Sequence, residues 1–419
     1  LFPYTTLFRS VSVPLPDFEP DKTRHSGILT RAENVIPMVG GYRAIGAISS
    51  VSDALTGTFR GAASAIADDG SAFLIAGTSS TLSKIGATGA WATLVGSLSI
   101  NGRWRFAQFN NYVICVNGSA TRVVDLGTAT QSLLTDAPSG TSVGTVGDHV
   151  VIGQPGGVVS SVQWSAFNDH TGWTDGVDQA GSQPMTNGGA VMGIASGEYG
   201  VILQRDRIVR MSRTGNALNP FYFDEISNNY GCASSATIAQ AGRTVFFYSD
   251  RGFMAIEDGQ QLRPIGTERV DRTFEAMVGR GNLDSVFTAV DPANKLAFWG
   301  IPGAPGTAWI YNFELDKWST ASLAFNGIFP GYTTSVSLEE LAVIYPNLDT
   351  MPVSLDDPRW QGGAPRLYLV NADNEIGVLA GDKLAASLDM AYIELTKYRR
   401  ARVRKVRPVT DAIDGITVR

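Results

Sequence analysis

Residues Trp104–Gly127 read WRFAQFNNYVICVNGSATRVVDLG. A strand of small and aromatic residues comes first. The polar turn Asn110–Asn111 follows, then the stronger apolar run Tyr112–Val116, then a second turn and a third strand. β-Branched and aromatic residues bounded by Gly, Asn and Ser are the composition of short strands joined by tight turns. The same order recurs on both sides. FRGAASAIADDGSAFLIAGTSSTLSKIG precedes it at Phe59–Gly86. TSVGTVGDHVVIGQPGGVVSSVQWSA (Thr141–Ala166), AVMGIASGEYGVILQRDRIVRMSR (Ala190–Arg213) and ATIAQAGRTVFFYSDRGFMAIED (Ala236–Asp258) follow it. SVFTAVDPANKLAFWG (Ser285–Gly300) with AWIYNFELDKWST (Ala308–Thr320) completes the series.

The first turns of these units fall near Asp69, Asn110, Gly147, Gly197, Gly242 and Pro292, at separations of 41, 37, 50, 45 and 50 residues. A repeat of about 40–50 residues with three or four strands per unit is the spacing of β-propeller blades. One small sheet cannot bury both faces alone, so blades stack around an axis and share their cores. The short continuous run Val150–Ile152 fits a strand covered on both faces, and the mixed Thr121–Leu126 fits one further out. In NFELDKWS, Asn312–Ser319, a strand enters a turn and returns at Trp318, as in a blade hairpin. The expected fold is all-β, a β-propeller of six or seven blades. Six units are clear, and Arg366–Val370 with Glu375–Leu379 supply either a last blade or the closure. The ring could also close by pairing an early strand with a late one.

Four segments fall outside the repeat. LFPYTTLFRS, residues 1–10, resembles residue for residue the translation of a common sequencing-adapter oligonucleotide, and is set aside as an artefact of an environmental sequence. Residues 11–57 read as an N-terminal extended arm, kept open by Pro14, Pro16, Pro20 and Pro37, with Arg24, Arg31 and Glu33 as polar anchors. The propeller is expected over 58–390, with an excursion at 331–365 that carries a short helical stretch, Ser337–Leu341. Residues 391–419 read as the start of a C-terminal β element that continues past Arg419.

The 419 residues are 44% hydrophobic and only 17% charged, with 46 Gly and 8 Met. Low charge suits a chain with much of its surface covered in an assembly, and many glycines suit many turns. The net charge of −6 is the wrong sign for a general nucleic-acid binder. No window approaches 18 uninterrupted apolar residues, so no helical membrane span is expected. Nothing near the start reads as a signal peptide. Cys115 and Cys232 sit in apolar or small-residue runs and read as buried free thiols.

Catalysis needs convergent polar groups. His25, His149 and His170 lie in separate contexts, so neither a zinc site nor a triad is expected; His149 reads as a turn or surface residue. Dispersed glycines give no nucleotide loop. Asp68-Asp69-Gly70 and Asp373-Asn374-Glu375 read as hairpin turns, since neither has the spacing of a complete calcium loop. Asp356-Asp357 and Glu339-Glu340 have nothing to bring them together as a hydrolytic pair. The chain is therefore expected not to be an enzyme, with no catalytic, cofactor or metal residues and no cofactor. Trp104, Trp164, Trp173, Trp299 and Trp318 are candidates for packing blades together. Near the C-terminus, KYRRARVRKVRP places Arg399, Arg400, Arg402, Arg404, Lys405 and Arg407 close together. These are candidates for facing a neighbouring subunit or DNA phosphate.

Seven phrases in order carry a resemblance that covers nearly all of Val11–Arg407. They are PDFEPDKTRHSG (Pro16–Gly27), WRFAQFNNYVICVNG (Trp104–Gly118), VQWSAFNDHTGW (Val162–Trp173), ASGEYGVILQRDRIVRM (Ala195–Met211), GTERVDRTF (Gly266–Phe274), DPANKLAFW (Asp291–Trp299) and YNFELDKWS (Tyr311–Ser319). With these the chain resembles a family of phage structural proteins, the tail or head–tail stabilising proteins of short-tailed and related phages. The resemblance implies a propeller-bearing nozzle, hub or stabiliser in the virion tail, assembled in the host cytoplasm. It implies a ring of copies of itself, hexameric as in a similar tail stabiliser, beneath the portal and adaptor proteins. Packaged DNA would be a partner only in transit, retained and then released, with no membrane partner. The alternative reading is a receptor- or carbohydrate-binding propeller, with Trp164, Trp173 and Trp360 as the aromatic candidates.

Overall fold

Alternation along the second strands explains the architecture. In Tyr112–Val116, Val113 and Cys115 join one apolar cluster, while Ile114 and Val116 join the next. Successive strand residues point to opposite faces, so this sheet must be covered on both sides. The computed structural model describes residues 13–23, 27–86, 88–334, 341, 347, 362–392 and 405–410. In it the chain forms a seven-bladed β-propeller.

Blade one is Phe59–Ile66, Ala72–Thr78, Leu82–Ile85 and Trp91–Val95. Blade two is Arg105–Phe109, Tyr112–Val116, Arg122–Asp125 and Thr130–Leu133. Blade three is Ser142–Val146, His149–Gly153, Ser161–Trp164 and Gly181–Pro184. Blade four is Val191–Ala195, Gly200–Gln204, Ile208–Asn216 and Asn219–Ser227. Blade five is Ala239–Ala241, Thr244–Ser249, Gly252–Glu257 and Gln261–Pro264. Blade six is Phe287–Asp291, Leu296–Ile301, Gly303–Asn312 and Lys317–Phe325. Blade seven is Gly327–Tyr332, Pro365–Val370 and Glu375–Val378, completed by Ser49–Ala54 from the other end of the chain.

All six first turns named from the sequence join the first and second strands of blades one to six. The excursion stands at the same place in blade seven, between Tyr332 and Pro365. In blade three the turn is a two-residue hairpin: Val146 pairs with His149, and Gly147 and Asp148 both have positive φ (50° and 65°). That is the turn whose twist matches its strands, and it favours Gly and Asp.

The core is divided among the seven gaps between blades, with one apolar cluster in each. Polar contacts repeat there too. Gln108 of blade two accepts a hydrogen bond from the Ile66 N–H (3.1 Å) and donates to its carbonyl (2.5 Å). Gln240 of blade five does the same to Ser196, at 3.0 and 2.6 Å. Each side chain replaces a sheet's missing backbone partner and so holds two neighbouring blades in register.

The ring closes through Ser49–Ala54, antiparallel to Glu375–Val378. Ser50 donates to Glu375 at 2.6 Å, and the Ile376 N–H donates to Ser52 Oγ at 2.9 Å. An early strand thus pairs with a late one, as the alternative closure had it, and the segment expected as an extended arm over 11–57 carries strands. Four strands lie there: Leu29–Glu33, Val35–Met38, Gly41–Ala44 and Ser49–Ala54. They are short, and all four find distant partners or only each other, so no local period announced them. Leu29–Glu33 runs parallel to Lys317–Phe325 and antiparallel to Ser387–Met390, which widens blade six to six strands. A helix, Asp271–Val278, between blades five and six was also not expected. Of Ser337–Leu341, only Leu341 is among the described residues.

Candidate functional site

The tryptophans sit in the gaps between blades. Trp104 lies between blades one and two, and its indole N–H donates to the Thr78 carbonyl at 3.0 Å. It occupies space that blade one leaves at Gly77, where an added Cβ would stand 2.3 Å from the ring. Trp164 meets Phe221 of blade four edge-on at 5.3 Å, and Trp173 is buried between blades two and three. Trp299 and Trp318, both fully buried, donate across the gap to the blade-five side, to the Thr237 and Ile265 carbonyls at 2.9 and 3.0 Å. Trp318 also packs against Tyr311, its cross-strand partner in the hairpin expected from NFELDKWS, with the rings tilted and their centres 4.8 Å apart. Trp164 and Trp173 are therefore core groups, not an exposed sugar platform; Trp360 lies outside the described residues.

Arg103 and Arg105 flank buried Trp104 where the chain enters the first strand of blade two, Arg105–Phe109. Both reach across the central channel. Arg103 donates to the Asp284 carbonyl at 2.6 Å, where the chain enters blade six, and its guanidinium lies 3.8 Å above the Phe287 ring. Arg105 donates to the Ser235 carbonyl at 2.7 Å, where the chain enters blade five. Blade two is thus tied across the axis to blades five and six. Burial lowers the Arg103 pKa to about 9; the Arg105 and Arg60 charges add to this, and Asp284 opposes it. Burial also lowers that of Arg105. The triplet Arg103-Trp104-Arg105 did not mark them in the sequence, because the acceptors are backbone carbonyls of other blades, which no side-chain pattern names.

A second constellation joins three phrases that are distant in sequence. In PDFEPDK, Phe18 is buried in the cluster between blades five and six, 6.2 Å from Trp309. Asp17 pairs with Lys317 at 2.9 Å. Glu19 pairs with Arg269 at 3.0 Å, and Arg269 pairs with Asp316 at 3.0 Å. Asp21 receives the backbone N–H groups of Arg272 and Thr273 at 2.7 and 2.9 Å. The segment is therefore clamped to GTERVDRTF and YNFELDKWS by charge, a helix cap and one apolar anchor.

Of the basic C-terminal candidates, Lys405 and Arg407 are exposed. Arg399, Arg400, Arg402 and Arg404 lie outside the described residues, as do His25, Asp356, Asp357, Glu339 and Glu340. His149 departs from the expectation of a turn or surface place. It is fully buried at the head of its strand, Nδ1 lies 2.8 Å from the Ser165 carbonyl, and burial lowers its pKa. His170 packs against Tyr112 with ring centres 4.2 Å apart. Cys115 and Cys232 are both buried and free. Asp69 accepts the Ser71 N–H inside its own turn, at 2.8 Å. Among the described residues no three His, Cys, Asp or Glu side chains group as metal ligands, and no helix is long and apolar enough to cross a membrane.

No protein-family model and no curated protein matches the chain. Solved structures do match. The RRP9 WD40 repeats align at TM-score 0.42 and 10% identity, over 71% of this chain and 89% of that one. The BT4673 extracellular domain from B. thetaiotaomicron aligns at 0.43 and 9%, over 80% of this chain and 40% of that one. U3-55K aligns at 0.39 and 10%, over 70% and 89%. The seven-bladed assignment stands on the chain's own strand pairing.

Proposed function

We propose that this propeller is a structural, non-catalytic subunit of a phage tail: a nozzle, hub or head–tail stabilising component that works through its surfaces. The observation that carries this reading is the six-stranded sheet at blade six. Strands from both ends of the chain add to it, and Ser387–Met390 lies at its open edge. An edge strand presents unpaired N–H and C=O groups that can accept a strand from another chain. Met390 and Tyr392, exposed beside it, supply apolar contact. The basic segment that follows suits an acidic face on a neighbouring copy of a chain whose net charge is −6. A heterologous contact of this kind closes into a ring when its rotation permits. The portal and adaptor proteins are the proposed neighbours above the ring, and packaged DNA passes through the lumen between subunits.

The channel arginines favour a second reading, a ligand-binding propeller, in which the blade-six edge stays solvent-exposed. Sedimentation over a range of protein concentrations and salt separates the two. The structural reading predicts a closed oligomer of fixed copy number at low salt that dissociates as salt screens the basic segment. A monomer under every condition contradicts it.

A further inference from the structure

At the mouth of the central channel where the inner strands begin, three arginines converge with little opposite charge. Arg103 and Arg105 extend from blade two, and Arg60 from the adjoining strand of blade one, where the Trp104 N–H donates to the Arg60 carbonyl at 3.2 Å. None of the three belongs to an ion pair with a carboxylate among the described residues. Arg103 and Arg105 spend donors on backbone carbonyls only, and the Nε of Arg60 is buried with no hydrogen-bond partner. The carboxylate that acts on Arg103 is Asp284, and one of its oxygens is engaged by Ser234 Oγ at 2.5 Å.

Each guanidinium carries five donors in a planar fork, so most remain unspent here. A buried donor without a partner costs about 1–3 kcal/mol, and like charges in a part-dry channel repel more strongly than in water. The mouth is therefore short of negative charge and of acceptors at one point. A tetrahedral oxyanion supplies both, since its several oxygens match guanidinium forks two at a time. The Phe287 ring beneath Arg103 closes the floor. Two side chains spanning the axis leave no passage for a polymer backbone, so the occupant is small.

We propose that Arg60, Arg103 and Arg105 form a binding site for a free phosphate-class oxyanion at the channel mouth, where the anion ties blades one and two to the blades across the axis. The site stands whether or not the tail reading holds.

The test is titration of the full chain with inorganic phosphate by calorimetry, against sodium chloride at matched ionic strength. The expected result is saturable binding of one phosphate per chain, absent with chloride and weakened about tenfold or more in Arg60→Gln and in Arg103→Gln, each of which removes a charged donor. Phosphorus NMR of phosphate with the unaltered chain gives an independent reading if a variant does not fold. Broadening of the resonance that sulfate reverses supports the site. A response equal to that of chloride, unchanged binding in folded variants, or no broadening overturns it.

Discussion

One oxygen of Asp21 accepts both the backbone N–H of Thr273, at 2.9 Å, and its hydroxyl, at 2.6 Å. The other accepts the N–H of Arg272 at 2.7 Å. A carboxylate some 250 residues away in sequence thus caps the helix Asp271–Val278, whose own N-cap position, Val270, offers no side-chain bond. The cap satisfies free N–H groups and places negative charge at the positive end of the helix. Asp21→Ala is expected to cost about 1–2 kcal/mol. Urea unfolding would show this as a lower midpoint, and a midpoint equal to that of the parent would mean the segment is not held there.

Gly77 and Trp104 fit as a small–large pair across the first gap. Gly77→Ala would put a methyl group into the indole and is expected to destabilise by about 1–3 kcal/mol. Trp104→Leu in the same chain should recover part of that loss. Thermal unfolding of the two single variants and the double variant measures the coupling, and purely additive losses would argue against the contact.

The closing strand predicts an exchange pattern. A chain that starts at residue 58 lacks Ser49–Ala54, so the outer edge of blade seven loses its partner. Amides of Glu375–Val378 should then exchange with deuterium orders of magnitude faster while blades three and four stay protected. Equal protection in both chains would mean that the ring closes another way.

Burial raises the Asp271 carboxyl from its ordinary 3.8 to about 6. The Phe253 N–H bond opposes the shift, and the charges of Asp21 and Glu275 add to it. Because the folded value lies above the unfolded one, the folded state holds its proton longer. This group's contribution to stability is therefore full below about pH 3.8 and falls as pH rises to about 6. Asp271→Asn should flatten the stability profile across that window, measured as urea midpoint against pH. A profile with an unchanged slope would assign the titration elsewhere.

Cys115 and Cys232 are fully buried, and burial raises both thiol pKa values, that of Cys232 to about 12. Reactivity follows exposed thiolate. Neither should react with a thiol reagent in the native protein, and both should react once it is unfolded. Labelling of either in the native state would contradict its place in the core.

Much of the propeller was legible because its second strands are buried on both faces and its first turns recur at blade spacing. Those turns are built by residues such as Asn110, Gly147 and Gly242, which take positive φ. The closing strand was not legible. Ser49–Ala54 reads SSVSDA and is mostly exposed on both faces, so burial wrote no alternation into it. The helix Asp271–Val278 is only eight residues long, and its buried face is the single pair Phe274 and Val278, too short a pattern to stand out between strands. The tryptophans of the gaps could be picked out by size and context. The arginines of the channel mouth could not, because what they reach is backbone supplied by the ring itself.

Electron microscopy of the full chain, alone and mixed with its cognate portal and adaptor proteins, tests the structural reading most directly. The account predicts closed rings of seven-bladed subunits attached beneath the portal. Single propellers that ignore both partners at every salt concentration would contradict it.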